Sequence, residues 1–306
     1  MNLYLLTLVT LSTGLQADYD YRGRDYVEKK AEKLVFGLWM ITDYDTIYRV
    51  IDDALAAGYR TFDTAQAYNN EEITGRAFNA LLPKHGLKRE DIFLSSKVHN
   101  IHQGPKAEPS IIESLEKLNF SYLDLMLIHW PGAMPVDWSN PLHNMTNRRG
   151  TWKALEKYYN LGKLRSIGVS NWMRHHLEDL LSYATVNSLV DYCQEKGIIF
   201  QAYACNLHLT PEKAIANYRQ PKIEAIAKKY DITPKLLQFV FPLNRGMSVL
   251  TRATTKEHIL ENRKANQIKM NPEDIEALML KGTIGHKNCG DPKFVTDSAT
   301  IKEIVD

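Results

Sequence analysis

Apolar residues follow two alternating patterns along this chain from residue 34 to residue 280. Short strand patterns, most of them largely apolar, cover Val35–Met40, Tyr59–Asp63, Ile92–Lys97, Leu123–Trp130, Arg165–Asn171, Ile198–Tyr203 and Met247–Thr251. Between them lie stretches whose apolar positions recur every three or four residues. Ile47, Val50, Ile51 and Leu55 form one such set; Ile111, Ile112, Leu115 and Leu118 another; then Trp152, Leu155 and Tyr159, and Leu177, Leu180 and Leu181. That spacing gathers apolar side chains on one helical face, while the continuous runs suit strands buried on both sides. Further helices are predicted over 221–230, 234–241 and 257–264, and Thr42 followed by Asp45 reads as a helix N-cap with an acidic first turn. Strand and helix alternate without a linker, which predicts one α/β domain over residues 34–280. Residues 18–33 are polar and rich in tyrosine with no clear period, so an irregular N-terminal segment is expected there, and the tail 281–306 has no assignable pattern.

Gly58 leads into a strand that ends at Asp63, and a helix opens at Glu71, so Asp63 and Tyr68 belong to the connection between them. Lys97 and His129 fall at or just past the ends of two later strands. In a barrel of alternating strands and helices, the connections that follow the strands share one face, and chemistry is placed on that face. Taken singly, each residue has an ordinary role as a cap, a packing aromatic or a partner for a backbone group. Together, a carboxylate, a phenol, an ammonium and an imidazole can deliver a proton to an oxygen that is gaining negative charge.

The Gly58–Gly75 block resembles the aldo-keto reductase family. The resemblance rests on Gly58-Tyr59-Arg60, Asp63-Thr64-Ala65, Tyr68 and Asn70-Glu71 at the family's spacing. It continues in order through Ser95-Ser96-Lys97, Leu123 to Pro131 with its His129-Trp130-Pro131 ending, and Ile167-Gly168-Val169-Ser170-Asn171, and runs from about Phe36 to about Leu278. The resemblance implies a TIM (β/α)8-type barrel that reduces aldehyde or ketone carbonyls to alcohols with NADPH. Asp63, Tyr68, Lys97 and His129 match the family's catalytic tetrad one by one. By that match Tyr68 is the proton donor, and Lys97 is expected to draw its phenol from near 10 toward neutrality. Asp63 would keep Lys97 charged and oriented, and His129 would steer the substrate oxygen.

The same resemblance implies cofactor contacts from Ser170 and Asn171 to the nicotinamide carboxamide and from Tyr203 to the face of its ring, with Arg252, His258 and Asn262 around the NADP phosphates. Arg252 stands where the family usually has lysine, and its fork suits a 2′-phosphate. Ala204-Cys205-Asn206-Leu207 replaces the family's Ser-Pro-Leu-Gly after Tyr203. Most conspicuously, the chain passes directly from Val186 to Asn187 without the expected strand of the type Val-Asn-Gln-x-Glu-x-His-Pro. One barrel strand is therefore expected to be missing or replaced, together with a glutamine that orients the nicotinamide. This supports an alternative function, a catalytically impaired or non-catalytic relative acting as a binding or structural protein. A Schiff-base aldolase using Lys97 fits less well, because a lysine paired with aspartate stays protonated.

Composition narrows the picture further. The 38 basic and 36 acidic residues are interspersed and leave a net charge of +2, which suggests no nucleic-acid or membrane partner, while the resemblance implies a small-molecule carbonyl substrate. Cys193, Cys205 and Cys289 are widely spaced and form no Cys-x-x-Cys pair, and the adjacent His175 and His176 would point to different helix faces, so no metal is expected. There is no Gly-x-Gly-x-x-Gly, which counts against a Rossmann domain. Leu3 to Leu15 is mostly apolar, and residues 1–17 have the length of a cleaved signal peptide, although Met1-Asn2 carries no basic residue and the run is short for a membrane span. The family resemblance implies a cytosolic protein; a signal at 1–17 would make it secretory, where Asn119-Phe120-Ser121 and Asn144-Met145-Thr146 would be glycosylation triplets. Trp39, Trp130 and Trp138 are candidates to wall an apolar pocket.

Overall fold

Among the described residues, seven parallel strands follow one another in space almost in chain order. The computed structural model describes residues 5–7, 22–137, 140, 142–172, 199–202 and 221–279. Its strands are β1 Leu5–Thr7, β2 Leu34–Gly37, β3 Thr61–Asp63, β4 Phe93–Val98, β5 Leu125–Ile128, β6 Ile167–Val169, β7 Phe200–Ala202 and β8 Ser248–Thr251. The sheet order is β1-β7-β8-β2-β3-β4-β5-β6, with every pair parallel except β1 and β7. This is the winding of a (β/α)8-type barrel in which, among the described residues, no parallel strand stands between β6 and β7. Among the described residues, the outer side of β7 is taken by β1 running antiparallel, with Leu5 opposite Ala202 and Thr7 opposite Phe200. Part of the run that reads as a candidate signal thus supplies a replacement strand at that edge. The Val186–Asn187 junction, the helix over Leu177–Leu181, His175, His176, Tyr203, the three cysteines, Trp138 and the tail 281–306 lie outside the described residues.

The helices are α1 Arg22–Lys30, α2 Tyr44–Ala56, α3 Glu71–Lys84, α4 Ala107–Leu118, α5 His143–Asn160, α6 Pro221–Lys229, α7 Pro234–Asn244, α8 Lys256–Lys264 and α9 Pro272–Leu278. Most of the strands are shorter than the stretches that predicted them, because residues at the ends of those stretches belong to the connecting loops. The N-cap of α2 is Asp43 rather than Thr42: the Asp43 carboxylate accepts from the Thr46 N–H at 2.8 Å. α3 and α4 pack so closely that a Cβ on Gly75 would lie 2.4 Å from the Leu118 carbonyl oxygen. Among the described residues, no helix is long and apolar enough to cross a membrane.

Side chains alternate across the strands, and the two faces bury different sets of residues. Leu94, Val98, Met126 and Ile128 face the helices and join Ile47, Val50, Phe78, Leu81, Ile111 and Leu155 in the main core. Phe93, Leu125 and Leu127 face the barrel interior, where they meet Val27 of α1. The segment 18–33, expected to be irregular, therefore contains a helix that seals the lower end of the barrel. It lacks a readable apolar period because only a few residues, Tyr26, Val27 and Ala31, touch the barrel interior. Burial of Val27 contributes about 2 kcal/mol. Polar links complete the seal: Tyr26 Oη donates to Asp124 Oδ1 at 2.5 Å, and Arg89 and the Leu94 N–H hold the other carboxylate oxygen at 2.6 and 2.9 Å.

Candidate active site

With the lower end closed, the opposite rim carries the chemistry. Asp63 is the last residue of β3, Lys97 the penultimate residue of β4, and His129 the first residue after β5. Tyr68 ends a short 3-10 turn, Gln66–Tyr68, between β3 and α3. Lys97 Nζ donates to Asp63 Oδ1 at 2.5 Å, to the Thr64 carbonyl at 2.8 Å and to Tyr68 Oη at 3.1 Å. All three ammonium protons thus have acceptors, one of them the phenol oxygen. Ser95 lies two residues before Lys97 on the same face of β4 and donates to Asp63 Oδ2 at 2.7 Å, which stops the carboxylate from rotating away. The His129 ring stands edge-on to Tyr68 with centroids 5.7 Å apart. The structure brings all four expected residues together.

The electrostatics follow from burial. The side chains of Asp63 and Lys97 are each only 2% exposed. Burial alone would lower the Lys97 pKa, but the Asp63 charge outweighs it and raises the value, so Lys97 stays an ammonium at neutral pH. Tyr68 corrects an expectation. Burial raises its phenol pKa and outweighs the opposing pull of Lys97, and the nearby Asp63 charge adds to the rise. In the protein alone, Tyr68 therefore holds its proton firmly. Burial, reinforced by Lys97, pushes the His129 imidazole well below its usual value and leaves it neutral with a single ring N–H. Its Nδ1 makes no hydrogen bond among the described residues.

The expected cofactor residues occupy two other parts of the same rim. Ser170 and Asn171 follow β6 and are buried. Asn171 has a left-handed backbone, φ 66°, and its Nδ2 donates to the His129 carbonyl at 2.8 Å and to Ser170 Oγ at 3.0 Å. The pair is thereby locked to the loop that carries His129. Arg252 follows β8, half-buried, with Nε donating to the Trp39 carbonyl at 2.7 Å. Arg49 holds the same loop through the Thr254 carbonyl at 2.8 Å. α8 then begins under the Thr255 cap, with His258 exposed in its first turn and Asn262 buried one turn later. A guanidinium fixed beside a helix N-terminus is a donor set that fits a phosphate.

Trp39 and Trp130 both lie in rim loops, Trp130 with its ring centroid 6.4 Å from that of His129. Three contributors lie in the matching blocks but had no role assigned from the sequence. Ser95 was open to discovery from its two-residue spacing to Lys97. Thr64 and Asn70 were not, because their role depends on a distant loop: Thr64 Oγ1 donates to Asn70 Oδ1 at 2.6 Å, and Asn70 Nδ2 ties the loop after β2 through the Leu38 and Ile41 carbonyls at 2.9 Å each. Among the described residues, no group of three or more His, Cys, Asp or Glu side chains is placed to hold a metal ion.

Known proteins resemble this chain over most of its length. Residues 33–280 match the model of the Aldo/keto reductase family. The chain is 32% identical over 268 residues to an uncharacterized oxidoreductase of Schizosaccharomyces pombe, covering 81% of this chain and 89% of that protein. It is 31% identical over 281 residues to the NAD(P)H-dependent D-xylose reductase of Candida tenuis, covering 79% and 87%. Among solved structures, MGS-M4, an aldo-keto reductase enzyme from a Medee basin deep-sea metagenome library, aligns with a TM-score of 0.68 at 29% identity, covering 80% of this chain and 89% of that one. The family match spans β2 to α9 and takes in every strand that carries a rim residue, and the chain therefore belongs to the aldo/keto reductase family.

Proposed function

We propose that this protein reduces aldehyde or ketone carbonyls to alcohols with NADPH, and that Tyr68 supplies the proton. The observation that carries this reading is the bond from Lys97 Nζ to Tyr68 Oη, 3.1 Å, at the end of a buried ion pair. When bound, the reduced dinucleotide supplies the hydride to the carbonyl carbon. The carbonyl oxygen then gains negative charge and takes the phenol proton. Lys97 is already placed to stabilise the phenolate left behind, and Asp63 keeps Lys97 charged. Neutral His129 offers one N–H to hold the substrate oxygen near Tyr68. Ser170 and Asn171 would hold the carboxamide of the dinucleotide, and Arg252, His258, Asn262 and the start of α8 its phosphates.

The test is Tyr68→Phe, assayed by loss of nicotinamide absorbance with benzaldehyde and by NADPH titration. Turnover is expected to fall by roughly 100-fold or more while NADPH binding holds. Turnover comparable to the unaltered protein would overturn the assignment. The antiparallel β1 favours a second reading, because the family's cofactor-orienting glutamine would come from the strand it replaces. In that case the protein binds NADPH and reduces no carbonyl, and the same assay separates the two.

A further inference from the structure

The turn that carries Tyr68 is held on both sides through one hydroxyl group. Gln66, at its start, donates from Nε2 to Ser114 Oγ and to the Ser110 carbonyl, each at 2.9 Å. Glu71, the first residue of α3 after the turn, accepts from the same Ser114 Oγ at 3.2 Å and from Ser96 Oγ at 2.6 Å. Ser114 belongs to α4, and Ser96 immediately precedes Lys97 on β4. Strand alternation places Lys97 on the barrel-interior face and Ser96 on the face toward the helices. A path Gln66–Ser114–Glu71–Ser96 thus runs behind the sheet, from the turn that bears the phenol to the strand that bears the ammonium.

Glu71 is an unusual residue for such a place. It is 3% exposed, and Ser96 and Ser114 are both 0% exposed. Among the described residues it has no ion-pair partner, and burial raises its pKa. An unpaired buried carboxyl is costly, and two serine hydroxyls together with the amino end of α3 offset only part of that cost. The position therefore maintains a polar linkage where an apolar side chain would pack more easily. The quantity it controls is visible in the site, since Tyr68 Oη to Lys97 Nζ is the longest of the three Lys97 hydrogen bonds and joins two separate elements.

We propose that Glu71 is a positioning residue of the reaction: acting through Ser96 and Ser114, it fixes the separation of the Tyr68 phenol and the Lys97 ammonium. The proposal rests on the reading above, in which Tyr68 donates the proton. A displacement near 1 Å of the donor can cost on the order of 100-fold in rate, whereas the dinucleotide contacts at β6 and β8 lie on other strands and stay in place.

The experiment compares Glu71→Ala, Glu71→Gln and Tyr68→Phe in the full chain, measuring kcat with benzaldehyde, the Kd for NADPH and the solvent deuterium isotope effect on kcat. Glu71→Ala is expected to lower kcat by roughly 10- to 100-fold, with a raised isotope effect and an NADPH Kd within about twofold. Glu71→Gln, which keeps both links once Ser114 turns its hydroxyl to accept, is expected to restore kcat to within about threefold. If Tyr68→Phe retains turnover, the proton-donor reading itself is wrong and the proposal goes with it. If Tyr68→Phe is inactive while folded Glu71→Ala turns over normally, or loses kcat and NADPH affinity in proportion, the positioning role is overturned and the functional reading stands. Should Glu71→Ala fail to fold, Ser114→Ala removes the shared hydroxyl with less disturbance. It must show the same split between kcat and Kd, and normal turnover in that variant would equally overturn the proposal.

Discussion

Lys97 Nζ and Asp63 Oδ1 lie 2.5 Å apart, and neither side chain is more than 2% exposed. Removing one partner of such a pair leaves a buried charge uncompensated. Asp63→Ala should therefore destabilise the protein by about 3–5 kcal/mol, and adding Lys97→Met should recover part of that loss, as read from urea denaturation. A loss below about 1 kcal/mol in the single variant would mean that water reaches Lys97. The Lys97 and Tyr68 pKa values are both raised, so their contribution is complete below their ordinary values and disappears as pH rises through the folded ones. Alkaline unfolding linked to this pair belongs above about pH 10.

Histidine contributes on the acid side. Burial lowers the pKa values of His99, His102 and, most strongly, His129. The unfolded chain then binds more protons than the folded one below about pH 6.5, so stability should decline as pH falls from there toward each folded value. His129→Gln removes the largest of these shifts and should flatten the slope between about pH 6.5 and pH 5. An unchanged slope in denaturation midpoints would show that His129 titrates normally.

Arg252 is pinned through Nε to the Trp39 carbonyl, which leaves the ends of its guanidinium as the groups that would meet a 2′-phosphate. Arg252→Ala should weaken NADPH by roughly 10- to 100-fold, the equivalent of a charge-assisted hydrogen bond, and NADH far less. Fluorescence titration with both dinucleotides reads the difference directly. Equal weakening would move Arg252 away from the extra phosphate.

Gly75 marks the closest approach of α3 to α4. An added methyl would sit 2.4 Å from the Leu118 backbone oxygen, which cannot swing aside as a flexible side chain would. Gly75→Ala is expected to cost roughly 1–3 kcal/mol by forcing the two helices apart, and thermal melting would report it. A neutral result would require α4 to shift freely.

Tyr26 tests the seal formed by α1. Tyr26→Phe keeps the ring against Phe93 and removes only the donor to Asp124. A loss of about 1–3 kcal/mol is expected on urea denaturation, and no change would indicate that Arg89 alone satisfies that carboxylate.

The strand ends, the four rim residues and the family blocks were legible because each is local. A buried parallel strand writes itself as an apolar run, and Asp63, Lys97 and His129 mark where such runs stop. α1 was not legible, since a helix that covers only the end of a barrel needs few apolar residues and so shows no period. Nor was the state of Tyr68. The charge of Lys97 can be read from the sequence, but the balance between that charge, the opposing Asp63 and the desolvation of the phenol exists only once β3, β4 and the Gln66–Tyr68 turn are packed together.

The sequence by itself determined that an α/β barrel would gather one acid, one phenol, one ammonium and one imidazole at its rim. Only the tertiary structure decided what occupies the edge of β7, where β1 runs antiparallel, because pairing between segments nearly two hundred residues apart leaves no local periodicity to read. It also decided how the turn bearing Tyr68 is held. The shared hydroxyl of Ser114 becomes a link between Gln66 and Glu71 only when α4 packs against α3, and hydrogen bonds across elements depend on that packing rather than on spacing along the chain.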